Sequence, residues 1–162
     1  MTQPAATSFI DLFQFNHDII HQQLKDVTYA ESLLQPPFRG NCINWVIGHI
    51  LTIRDECFEL LGLPALLNES QRKNYGYGSE PITDSTRAYN LSAMVNVLDQ
   101  SLDTLVKKLE SLSQADLDRE VHIWRGPLPL SAGISFMLWH ESYHTGQLEL
   151  LRQLTGKNDH VI

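Results

Sequence analysis

Cysteine is scarce. The 162 residues hold two, Cys42 and Cys57, too few for a disulfide framework. Both fall on one predicted helix, too far apart to bridge. No stretch approaches the roughly 18–20 consecutive apolar residues of a membrane span. No N-terminal segment pairs a basic region with an apolar run, so no secretory signal is expected, and a cytoplasmic location is. Positive charge is also in short supply: Lys and Arg number 12 against 19 Asp and Glu, for a net charge of −7. No basic run is longer than a pair such as Lys107-Lys108. That excludes non-specific binding to nucleic acid, which needs a positive surface to displace counterions from phosphates. Repeats and low-complexity tracts are missing too, which excludes a solenoid.

What remains is an ordinary globular composition, 43% hydrophobic and 19% charged. That is enough for one domain, expected over residues 1–162, with a core of its own. After a polar lead through Thr7, Phe9, Leu12, Phe13, Asn16, Ile19, Ile20, Leu24 and Val27 recur at helical spacing. This predicts a helix from Ser8 to about Leu34, stopped by Pro36 and Pro37. His17 and His21 sit at the edge of its apolar face and are expected to be boundary residues touching water. A second helix, capped by Asn41 or Asn44, carries a stripe through Cys42, Val46, His49, Ile53, Cys57 and Leu60 and ends at Gly62. Leu63 to Arg87 reads as a long polar connection that lets the chain return to its starting end. A third helix from Asn90 has a near-heptad stripe from Leu91 to Leu109, with no histidine or carboxylate on the buried face. A short helical turn is expected at Gln114 to Leu117. The segment V-H-I-W-R-G-P-L-P-L then reads as extended or irregular. The fourth helix runs from an N-cap at Ser131 to Gly156, with Ile134, Met137, Leu138, Leu148, Leu151 and Leu154 on one face. Four amphipathic helices and no convincing strand give an all-α four-helix bundle.

Chemistry concentrates on the last helix. His140 and His144 lie on its apolar stripe. Four residues apart, they are about 40° apart around a helix and reach one point in space. Alone, the pair reads equally as core histidines or as ligands of one metal ion. His49 decides between them, because it too sits mid-stripe. Three buried imidazoles without partners would cost roughly 1–3 kcal/mol each. One ion would satisfy all three and leave a coordination position open, the pattern of a catalytic site. H-E-S-Y-H also fits H-E-x-x-H, but Gln147 and Leu150 stand where the extended protease motif needs Gly and His. Glu141 is therefore expected beside the site, as a second-layer or proton-transfer group, with His122 a further candidate for proton transfer. Glu56, seven residues after His49, could close the metal shell. Trp124 and Arg125, just before the last helix, are candidates to line a pocket, the arginine holding an anionic group.

N-W-V-I-G-H-I in the second helix, with H-E-S-Y-H-T-G-Q-L in the fourth, resembles the DinB/YfiT-like proteins. The resemblance spans the whole chain. It implies an up-down-down-up four-helix bundle with a long loop between helices two and three. The family's metal triad matches His49, His140 and His144 one for one. It further implies zinc, nickel or another divalent ion at that triad, and a homodimer in many members. Characterised relatives include S-transferases and isomerases that use mycothiol, bacillithiol or glutathione. The leading expectation is a metal-dependent enzyme that activates a small thiol against an electrophile. The alternatives are a hydrolase using metal-bound water and a non-enzymatic metal-binding or stress-response protein.

Overall fold

The computed structural model describes the backbone of residues 4–159 and the side chains of residues 6–159. The described residues are mostly helical, with one small two-stranded sheet. The order is α1 (Pro4–Leu24), α2 (Tyr29–Ser32), α3 (Ile43–Leu60), α4 (Glu69–Tyr75), α5 (Leu91–Glu110), α6 (Gln114–Asp118), β1 (Glu120–Ile123), β2 (Gly126–Pro129) and α7 (Leu130–Leu154). The long helices α1, α3, α5 and α7 pack so that α3 and α1 each contact both α7 and α5. Two apolar clusters lie between them. One centres on Ile47, Ile50, Leu98 and Leu148, the other on Phe13, Cys57, Leu105 and Ile134. Among the described residues no helix is long and apolar enough to cross a membrane.

Several predicted boundaries move. The lead expected to be irregular through Thr7 is helical from Pro4, while residues 1–3 lie outside the described residues. The first helix stops at Leu24 rather than Leu34. Asp26 takes a left-handed φ of 59°, and Thr28 starts a new turn with a capping box to Glu31. Leu12, assigned to the buried face, is 50% exposed. The long connection after α3 is not a bare loop: Asn68 and Gln71 form a second capping box that opens α4, which folds back onto α3. Neither Asn41 nor Asn44 caps α3, whose N-cap is Cys42 without a side-chain bond. Asn90 does cap α5, accepting from the Ala93 N–H, and a capping box at Ser113 opens the expected turn as α6.

The irregular segment before the last helix is a hairpin, in which Val121 pairs with Leu128 and Ile123 with Gly126. Its two prolines disguise it. Pro127 and Pro129 have the same parity, opposite to that of Leu130, whose N–H bonds the Arg119 carbonyl at 2.9 Å. Both missing N–H groups therefore fall on the outer edge, where no bond is lost. The hairpin delivers the chain straight into α7. That helix accordingly begins at Leu130, with Pro129 at the N-cap, and Ser131 lies inside the first turn. Gly156 ends it at φ 78°.

The helix α3 is buried on almost every side, and its buried polar residues find partners. Asn44 donates to the Tyr89 carbonyl at 2.9 Å and accepts from the Tyr75 hydroxyl at 2.8 Å. Asp55 accepts from the Leu66 N–H at 2.6 Å and pairs with Arg72 at 2.7 Å. Arg54, wholly buried, forms a two-pronged ion pair with Glu141 of α7: Nε to Oε2 at 3.1 Å and Nη2 to Oε1 at 2.6 Å. Its Nη1 donates to the Leu98 carbonyl and Ser101 Oγ of α5. One guanidinium thus joins three long helices. On α1, the mid-face Asn16 donates to Ser142 Oγ at 2.9 Å.

Candidate metal centre

The fold brings His49 of α3 to His140 and His144 of α7. Their ligating atoms lie within 4.8 Å of one another and form a group that could hold a metal ion. His49 and His144 are buried, and His140 is half-buried. The His49 ring stacks on Trp45, with centroids 4.6 Å apart, and meets the His144 ring edge-on at 4.6 Å. All three histidines line one cleft of about 600 Å³, whose walls include Trp45, Arg39, Tyr77 and Tyr143.

The hydrogen bonds orient the donor atoms. His49 Nδ1 lies 2.7 Å from the Tyr75 carbonyl oxygen, a pure acceptor, so Nδ1 carries the proton and Nε2 keeps its lone pair. His144 Nδ1 lies 2.8 Å from Gln147 Oε1, which leaves its Nε2 free in the same way. His140 Nε2 and His144 Nε2 face each other at 3.0 Å. Tetrahedral ligands at about 2.0–2.1 Å from an ion are about 3.3 Å apart, so a small relaxation seats both on one ion. Carbonyl and amide acceptors behind ligating imidazoles are the support that fixes tautomer and ring angle. Burial is the first cause that lowers the pKa of each ring. His144, pressed also by His49 and His140 and partly relieved by Gln147, falls to about 4. Three imidazoles whose ligating atoms converge, two of them with Nδ1 already committed to an acceptor, fit a divalent transition metal.

Gly48 makes this geometry accessible. A Cβ there would overlap the ring of Tyr75, which packs flat on α3. The Tyr75 hydroxyl is held by Asn44 and accepts from the Tyr89 N–H at 2.8 Å, so the ring cannot step aside. Gly48→Ala is therefore expected to destabilise the fold by about 1–3 kcal/mol. It should also weaken metal affinity about 10–100-fold by displacing the carbonyl behind His49. Thermal unfolding of the metal-free chain and a zinc titration check the two effects separately.

The other expected site residues fall elsewhere. Glu141 points its carboxylate into the ion pair with Arg54, not toward the triad. Glu56 is exposed and outside the triad, because seven residues are about 10 Å along a helix axis. It lines a separate pocket with His122, where partial desolvation by the surrounding chain and then repulsion from Glu59 and Asp55 raise its pKa although its surface faces solvent. Trp124 and Arg125 do line a pocket, of about 350 Å³, and it shares His140 and Tyr143 with the triad cleft. The Arg125 guanidinium carbon sits 5.5 Å from the Trp124 ring centroid and 5.6 Å from that of Phe136. His17 and His21 turn together toward Asp99 of α5. Tyr75 and Gln147, the two supports, lie outside the sequence-based candidates. Gln147 stands one turn after His144, which was a legible signal, whereas Tyr75 acts through its backbone and left none.

Fold and triad together define a helical protein with a three-histidine group able to hold a metal ion. The chain belongs to the DinB superfamily, whose family model matches residues 12–148. A solved structure described as the conserved protein of locus from Enterococcus faecalis is similar, with a TM-score of 0.74 at 17% identity. That match covers 97% of this chain and 99% of that one. At that identity the likeness concerns the fold alone. No protein of curated function matches.

Proposed function

We propose that the chain is a metal-dependent thiol S-transferase of the cytoplasm, built as an up-down-down-up four-helix bundle from α1, α3, α5 and α7. One zinc or nickel ion would be held by His49, His140 and His144. The observation that carries this is the triad itself: three imidazoles gathered in one cleft, two of them with Nε2 freed by a partner behind Nδ1, and room beside them for a small thiol and an electrophile. Bound there, a divalent ion supplies the charge that lowers a thiol pKa from about 8.5 and yields a nucleophile at neutral pH. The chain's own residues do the rest. Trp45 and the pocket beside His140 offer apolar walls that thin the water around a reacting sulfur. Arg39 and Arg125 stand at the rims with charge for an anionic group on thiol or electrophile. Glu141 takes a structural role in this reading, since Arg54 takes both of its oxygens.

The test is a thiol-omission assay on the chain reconstituted with zinc or nickel, using small electrophiles and glutathione-like thiols. Product is expected only when ion and thiol are both present. Turnover without thiol would replace the transferase by a hydrolase that uses metal-bound water. No turnover with any pair would leave a non-enzymatic metal-binding protein.

A further inference from the structure

We propose that His17, His21 and Asp99 form a second divalent-cation site, independent of the triad, that clamps α1 to α5. Here two elements supply three ligands: an imidazole pair one turn apart on α1 and a carboxylate on α5. Asp99 Oδ1 lies 3.3 Å from His17 Nε2 and 2.7 Å from His21 Nε2, and the ligating atoms all fall within 4.8 Å of one another. Neighbouring ligands on a tetrahedral ion are about 3.3 Å apart. The His17 contact already has that spacing. The His21 contact needs to open by about 0.6 Å, and both side chains involved are mobile enough, being 41% and 43% exposed. The His17 side chain is 13% exposed, so one ligand is set firmly against the protein while the other two face water. Its Nδ1 is buried without a hydrogen-bond partner, so no buried group competes for the ring. The atom it presents to Asp99 is Nε2.

The donor set selects the ligand class. Two imidazoles and one carboxylate suit zinc and its first-row neighbours rather than calcium or magnesium, which favour all-oxygen shells. Without an ion, Asp99 Oδ1 accepts from the His21 Nε2–H, with His17 Nε2 3.3 Å away. Loading needs each ring neutral with its one proton on Nδ1, so that Nε2 offers the cation a lone pair and a neutral ring releases no proton. An ion that binds only the folded chain and ties two helices raises the unfolding temperature.

The site is tested by zinc titration of the metal-free chain by calorimetry, with unfolding temperature read at each zinc level. Wild type is expected to take two zinc ions per chain. A His140→Ala/His144→Ala variant should keep one, and its remaining affinity should fall at least about tenfold with either His21→Ala or Asp99→Asn. Both added substitutions lie at exposed side chains, so folding survives them. In the wild-type background, either one should remove one of the two equivalents and the zinc-dependent rise in unfolding temperature that goes with it. That keeps the test valid if the double variant fails to fold. One zinc per chain in the wild type, unchanged by His21→Ala and by Asp99→Asn, would overturn the proposal. So would a second equivalent that both substitutions leave in place. Loss of the triad's equivalent alone would speak against the function proposed above and leave this site standing.

Discussion

His49→Ala is expected to abolish stoichiometric metal binding at the triad, while zinc or nickel copurifies with the wild type at that site. His140 and His144 would remain, but both stand on α7, and only His49 closes the group from α3. The loss exceeds that of one ligand. Trp45 loses the ring stacked on it, and the Tyr75 carbonyl loses the N–H that it accepts. The measurement is divalent metal per chain in untagged protein purified without chelator. A wild type that carries no triad metal, and takes up none on reconstitution, would sink the metal reading. The acid dependence has a definite sign. Protons compete with the ion for Nε2, so affinity falls with pH. Burial holds all three pKa values below the ordinary 6.5, His144 at about 4, so occupancy should survive mild acid. In the metal-free chain the same depression makes the unfolded state bind protons first. Stability is full above about pH 6.5 and declines as pH falls toward the folded-state values.

The second large effect is structural. Glu141→Gln is expected to destabilise the chain by about 3–5 kcal/mol, because the wholly buried Arg54 guanidinium loses its counter-charge. Arg54→Ala should cost a similar amount, stranding the carboxylate and two acceptors on α5. In a chain of 162 residues about 3–5 kcal/mol corresponds to roughly 6–20 °C in unfolding temperature. The Arg54→Met/Glu141→Leu double replacement should recover most of the loss, since apolar packing often equals a buried ion pair. Urea melts of wild type, Arg54→Met, Glu141→Leu and the double replacement form the cycle. The same variants separate two roles for Glu141. As a structural partner, its change to glutamine lowers the melting temperature and leaves zinc affinity alone. A group acting at the ion would instead alter metal-dependent turnover without a comparable loss of stability.

Glu141 shows where local pattern stops being informative. H-E-S-Y-H places a carboxylate next to a ligand in sequence, but adjacent helical residues point about 100° apart. Which neighbour each one meets depends on the helices on either side. Arg54 gave no warning of burial, since a guanidinium is ordinarily a surface group. The starts of α2, α4 and α6 are different. Thr28-x-x-Glu31, Asn68-x-x-Gln71 and Ser113-x-x-Asp116 are capping boxes visible in the letters, and only the third was anticipated as a turn. The hairpin before α7 was hidden by Pro127 and Pro129, whose fit depends on strand parity, a property of the paired structure.

By itself the sequence determined the long helices α3, α5 and α7, their apolar faces, and the candidacy of His49, His140 and His144. Each follows from spacing along one chain, and side-chain direction on a helix is set by that spacing. Only the tertiary structure decided what stands across from each face. It put a backbone carbonyl behind His49, gave Glu141 to Arg54, and set Asp99 before His17 and His21. Those pairings join residues far apart in the chain, and no local periodicity encodes which helix a given face will meet.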